Sequence, residues 1–269
     1  MQSHLSRYLQ RSAQVISKGL ANILLMRGAD GPMRAPRVLY SFNSPENIQQ
    51  FATGCDADIG GLSSVHLDLE TRPEINQPIE KSATGIFWGE MRLQVKSGME
   101  NKIRGGYAGF RNKNKPAFLF GNLLDDASSH GFLALRLRVA GDPRTHNSYF
   151  VNIQTDGPVS TDLWQHRLYF RKQNSWEDVF VPFNNFVRTN AGEMSQTQIT
   201  MYREKIKSIG ISILGGNSGV EGKYELGIDT IGLVNEDDVD HTLASRYISK
   251  PILLFLSLLF YRQKNIHNR

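Results

Sequence analysis

Between Val38 and Val234 the chain alternates apolar and polar residues with a period of two. Leu133, Leu135, Leu137 and Val139 point one way, and Ala134, Arg136 and Arg138 the other. Tyr149, Val151 and Ile153 alternate in the same manner with Phe150, Asn152 and Gln154. So do Phe87, Met91, Leu93 and Val95 with Trp88, Glu90, Arg92 and Gln94. Ile209, Ile211 and Ile213 are separated by Gly210 and Ser212, while Tyr224, Leu226 and Ile228 face away from Glu225 and Asp229. Further strands are predicted over residues 38–42, 63–69, 106–111, 164–170 and 178–183, giving about ten short strands between Gly, Pro, Asn and Asp turns. Sheets with one buried and one polar face alternate in this way, whereas parallel α/β strands read as continuous apolar runs. The pattern predicts an all-β jelly-roll sandwich of two antiparallel sheets, with a single helix of any length, over residues 195–206.

The flanks follow other rules. Residues 2–27 contain no acid, and Leu5, Tyr8, Leu9, Ile16, Leu20, Ile23 and Leu24 recur at helical spacing among arginines and serines. That is the description of a mitochondrial transit peptide, or of an amphipathic helix docked on a partner, or of both where part of the segment is retained. At the other end, Ile252, Leu253, Leu254, Phe255, Leu256, Leu258, Leu259, Phe260 and Tyr261 form an apolar run of about eleven residues, short of the ~20 needed to span a bilayer. Arg246 and Lys250 precede it, and Arg262 and Lys264 follow. Such a segment suits a short helix at a membrane interface or against membrane subunits, the alternative being a helix that caps the sandwich. The organisation expected is a basic amphipathic segment and linker over 1–37, the sandwich over 38–237 and a docking tail over 238–269.

Charge sharpens this division. The 269 residues carry a net +5, yet each flank contributes about +5, so the middle carries roughly −5. A mildly acidic domain repels phosphates, which excludes a nucleic-acid-binding role for it. Basic flanks suit organelle targeting or anionic lipid headgroups.

No motif for catalysis is visible. Cys55 is the single cysteine, which excludes an intrachain disulfide, fits a reducing compartment and reads as a small loop or core residue. The stretch ILGGNSGVEGK invites comparison with a phosphate-binding loop, but Asn217 and Tyr224 stand where Gly and Ser or Thr are required. It reads as a glycine-rich hairpin turn. The seven histidines form neither HxxxH nor HExxH, and Asp56 and Asp58 read as turn residues before a Gly pair rather than as cation ligands. No GxSxG elbow is present. A non-enzyme without a cofactor is therefore expected. Arg136, Arg138, Asn152, Gln154, Gln165 and Arg167 lie on outward rows of three consecutive strands; if those strands are neighbours, they form a positively charged docking face, the alternative being a solvated surface. A sugar-binding module would use exposed aromatics, for which Trp88 and Trp164 are candidates, and the apolar tail leaves room for a lipid or quinone carrier.

Several stretches, in order, resemble the family of the 30 kDa complex I intermediate-associated protein: DADIGGLSS (56–64), GIFWGEMRL (85–93), GGYAGFR (105–111), LRLRVAGD (135–142), SYFVNIQT (148–155), WEDVFVPFNNF (176–186), KSIGISIL (207–214) and KYELGIDTI (223–231). The resemblance implies a galactose-binding-like jelly roll and a non-catalytic chaperone of mitochondrial complex I. It further implies attachment, with other assembly factors, to membrane-arm subunits on the matrix side of the inner membrane, and release before the enzyme is complete. The family supplies no catalytic residues to carry over, and the tail after residue 237 lies outside the familiar stretches.

Overall fold

A computed structural model describes residues 34–239, apart from 115, 116, 119, 120, 123, 158, 160, 191, 192 and 217. The strands are β1 (Arg37–Ser41), β2 (Phe51–Cys55), β3 (His66–Glu70), β4 (Thr84–Met91), β5 (Tyr107–Asn112), β6 (Ala117–Phe118), β7 (Gly121–Asn122) and β8 (Phe132–Gly141). They continue as β9 (Tyr149–Thr155), β10 (Asp162–Arg167), β11 (Trp176–Pro182), β12 (Val187–Asn190), β13 (Glu193–Met194), β14 (Ile206–Leu214) and β15 (Gly222–Val234). One sheet runs β11-β8-β15-β4-β3, with β1 added beside the second half of β15, and the other runs β13-β12-β10-β9-β14-β5-β2. Every pairing in the two sheets is antiparallel, so the jelly-roll sandwich expected from the alternation is the architecture found.

Most inward positions are those the alternation picked out, Leu93 and Val95 being exceptions because β4 ends at Met91. Leu133, Leu135, Leu137 and Val139 of β8 meet Tyr149, Val151 and Ile153 of β9 and Ile209, Ile211 and Ile213 of β14 in one core. Burying such side chains stabilises by roughly 1.5–3 kcal/mol each relative to exposure. Aromatic contacts run through it: Phe42 stacks on Phe51 at 4.6 Å, Phe110 meets Phe87 edge-on at 5.1 Å, and Phe87 lies 5.1 Å from Tyr224. Desolvation holds the Tyr224 and Tyr149 hydroxyls well above the usual tyrosine range.

Two local expectations fail. Residues 195–206 form no α-helix; only Arg203–Lys205 make a 3₁₀ turn. The Gln198 side chain accepts from Arg188 N–H at 2.8 Å and donates to the Arg188 and Ser195 carbonyls, tying this segment to β12 in extended form. A long-range side-chain clamp thus overrides local spacing. The glycine-rich turn before Gly222 is a turn, but it carries the chain from β14 in one sheet to β15 in the other rather than closing a hairpin. The transit-like segment and the apolar tail lie outside the described residues.

Asp56 fixes one end of the sandwich. Its carboxylate is 2% exposed and accepts from Ser63 N–H and Oγ at 2.9 and 2.8 Å, from Gly106 N–H at 2.5 Å and from Tyr107 N–H at 3.1 Å. Asp58 accepts from Cys55 N–H within the same 3₁₀ turn. Both aspartates are therefore occupied by protein donors, and no group of metal-ligating residues occurs among the described residues.

Candidate functional site

The outer face of the β11-β8-β15-β4-β3 sheet closes on itself. Arg138 of β8 is 5% exposed and is held by Glu225 of β15 and by Asn174 at 3.3 Å. Arg136 bonds Asp178 of β11 at 2.7 Å and approaches Asp229 at 3.8 Å. Asp229 sits at a bulge in β15, 1% exposed, with Lys81 Nζ at 4.0 Å and no hydrogen bond to Oδ1 among the described residues. Its burial outweighs these cations and raises its pKa. Trp176 lies against Gly227 and donates to the Ile75 carbonyl at 2.8 Å, which pins the β3–β4 connection over this face. Trp88, 41% exposed, is also fixed: it stacks on His66 at 4.3 Å and donates to Asp68 at 2.8 Å.

The outer face of the other sheet is open. Its cross-strand register sets two rows across the strands: Gly54, Gly109, Ser212, Phe150 and Arg167, and beside it Ala52, Arg111, Gly210, Asn152 and Gln165. Ser208, Gly210 and Ser212 of β14 form a low floor, with Asn152 and Gln154 of β9 on one side and Tyr107 and Arg111 of β5 on the other. The result is a groove of about 320 Å³. Glycine inside a strand costs stability and marks close approach of another backbone. At Gly210 that backbone is the neighbouring strand: a Cβ there would lie 2.1 Å from the Phe110 carbonyl oxygen. At Gly109 the hydroxyl of Tyr107 fills the space instead, 3.0 Å from where a Cβ would stand.

The polar groups of the groove are pre-ordered. Gln165 Nε2 donates to Asn152 Oδ1 at 2.8 Å, and Asn152 Nδ2 donates to Ser212 Oγ at 2.8 Å. Ser208 Oγ donates to Gln154 at 3.4 Å. Arg167 lies over the Phe150 ring at 5.1 Å, a cation–π contact that leaves its guanidinium exposed. Tyr107 is half-exposed, and burial raises its pKa, with Arg111 acting in the opposite direction.

The sequence-predicted face is thus divided. Asn152, Gln154, Gln165 and Arg167 share the open sheet, since β9 pairs with β10 and β14. Arg136 and Arg138 do not join them: β8 pairs with β11 and β15, on the opposite side of the sandwich. The chain crosses from one sheet to the other between β8 and β9, so only β9 and β10 of the three strands are neighbours, which corrects the expectation of a shared face. Trp164, proposed as a sugar platform, is 3% exposed and belongs to the core. Tyr107, Arg111 and the Ser208–Gly210–Ser212 row escaped the sequence reading. Their signal was the small residue at every outward position between Ile209, Ile211 and Ile213.

Fold and groove together define a class: a jelly-roll sandwich with an open, polar trough across one sheet. Family 11 carbohydrate-binding modules of Clostridium thermocellum share the fold. The module solved with a β-1,3-1,4-mixed-linked tetrasaccharide has a TM-score of 0.51 at 14% identity, covering 76% of this chain and 98% of that one. The module of the cellulase Lic26A-Cel5E gives 0.50 at 12% identity, covering 76% and 96%. At such identities the likeness is one of fold.

Sequence is more specific. Residues 40–228 match the family described as Complex I intermediate-associated protein 30 (CIA30), and the chain belongs to that family. It is 35% identical over 248 residues to the Neurospora crassa protein named "Complex I intermediate-associated protein 30, mitochondrial", covering 86% of this chain and 84% of that one. To the Mus musculus protein of the same name it is 25% identical over 237 residues, spanning 85% of this chain and 66% of the mouse protein.

Proposed function

We propose that this chain is a mitochondrial assembly factor for complex I, acting by binding rather than by catalysis. Family membership over residues 40–228, with relatives named as mitochondrial complex I intermediate-associated proteins, carries the reading. In this reading the sandwich engages membrane-arm intermediates and their other assembly factors on the matrix side of the inner membrane. The open sheet, with Asn152, Gln154 and Arg167, is its docking face. Release needs only differential affinity: the factor binds the incomplete module and is displaced when later subunits bury the same surface. The 1–37 segment addresses the chain to the organelle, and the 238–269 tail, with its apolar run flanked by cations, holds it at the membrane.

The test is co-migration of the tagged chain with complex I intermediates on native gels of mitochondria. The chain should run with subassemblies and be missing from the finished enzyme. Uniform migration as a free protein, with unimpaired complex I in cells lacking it, overturns the reading. A version ending at Asp240 should fold normally but leave the membrane fraction on salt or carbonate washing. Retention of that version on membranes would remove the tail from the account.

A further inference from the structure

Cations stand at the margins of the open groove. Arg111 of β5 and Arg167 of β10 are exposed, stand on either side of the small-residue floor, and make no ion pair among the described residues. Lys113, just beyond β5, donates to the Gln49 carbonyl at 2.8 Å. By contrast Arg72, Arg136, Arg138 and Arg144 each hold a carboxylate. Asp58, beside Gly54 at the edge, is held by Cys55 N–H. Uncommitted cations at one trough of a mildly acidic domain amount to charge complementarity for an anion.

Shape narrows the class. The floor of Ser208, Gly210 and Ser212 lies on β14, and the lining continues over β5 and β2 on one side and β9 on the other, so the trough crosses the strands. Small residues there let a main chain approach the sheet surface, while the Asn152, Gln154 and Ser212 side chains offer amide and hydroxyl partners to peptide groups. A sugar would want an aromatic ring free to stack; Tyr107 is the aromatic of this lining nearest the floor, and its hydroxyl stands over Gly109.

We propose that the groove binds an extended acidic segment of a partner protein, crossing the β14 floor with its carboxylates toward Arg111 and Arg167. This rests on the reading of the chain as a protein-binding assembly factor and adds the chemistry of what it holds. The full chain should bind a fluorescent peptide of alternating glutamate and glycine, read by anisotropy, and reject the lysine counterpart. Raising salt should weaken the binding, as for any contact led by exposed charges. The double variant R111E/R167E should weaken it by at least about tenfold, since each position contributes an exposed charge-assisted contact. Both residues are exposed, so circular dichroism should show the variant folded; S212Y, which fills the floor without changing charge, should weaken binding as well.

Equal affinity for the acidic and basic peptides, no affinity for either, or preference for a neutral mixed-linkage oligosaccharide overturns the proposal. Native-gel co-migration separates the two readings. If the wild-type chain joins complex I intermediates and R111E/R167E joins them equally, the groove proposal fails alone. If the wild-type chain joins none, the assembly reading fails whatever the peptide does.

Discussion

The two outer faces of the sandwich carry similar residue types and use them in opposite ways. On the β8–β15 side Arg136 and the buried Arg138 each meet a carboxylate from a neighbouring strand, and Trp176 pins a connecting segment over the surface. On the β9–β14 side the amides bond one another, the centre is floored with serine and glycine, and the arginines at the margins remain unpaired among the described residues. The first face uses charge to hold itself together. The second leaves the charge of Arg111 and Arg167 without an ion pair among the described residues. A count of basic residues on outward strand positions therefore does not reveal a docking face; what matters is whether the acids that would neutralise them are already in place.

This contrast is open to direct attack. The largest effect should come from Arg138→Met. It leaves Glu225 and Asn174 without their partner beneath Trp176, and breaking a buried pair costs about 3 kcal/mol. Denaturant unfolding should show that loss while binding of the acidic peptide persists; a loss of binding in a folded Arg138→Met protein would erase the distinction between the faces. Charge reversal at Arg136 should likewise act through stability, by leaving Asp178 and Asp229 facing a like charge.

Asp229 gives an intermediate effect with a defined sign. Its folded pKa is raised by burial, so the folded state takes up a proton at higher pH than the unfolded chain does. The stability contribution is full below the unfolded pKa and is lost as pH rises through the folded one. Compared with Asp229→Asn, the wild type should gain stability as pH is lowered towards the ordinary carboxylate range of about 4, followed by thermal melts across pH. A difference that shrinks in that direction would mean that Lys81 and Arg136 outweigh the burial.

The smallest change in stability should follow Asn152→Ala. It breaks a half-buried side-chain chain from Gln165 to Ser212, worth about 1 kcal/mol or less. Its effect on peptide binding should nonetheless exceed that of Arg138→Met. Measuring both variants side by side by anisotropy and urea unfolding tests whether structure-holding and partner-holding really segregate by sheet.

The sequence made the strands legible because burial of one face imposes a period of two, and every core position named from β8, β9 and β14 is buried. Which strands are neighbours was not legible. Arg138 finds Glu225 after 87 residues and Arg136 finds Asp178 after 42, and nothing local announces either pairing. Residues 195–206 failed as a helix because Gln198 spends its amide on the backbone of Arg188 in β12, a contact that helical spacing does not register. The groove was half legible. Asn152, Gln154 and Arg167 stood out as polar outward residues, but its floor is made of residues notable only for being small.

One pairing bears on when the molecule exists as well as on its shape. β1, near the start of the sandwich, lies against β15, its last strand, with Arg37 opposite Leu233. β15 is also the strand that β4 and β8 share. A chain delivered from its N-terminus therefore cannot complete that sheet until nearly all of it has arrived, and β1, β4 and β8 wait with unsatisfied edges meanwhile. Long-range pairings of this kind slow folding and expose aggregation-prone edges. During that interval the open edges of β1, β4 and β8 are free to pair with other chains.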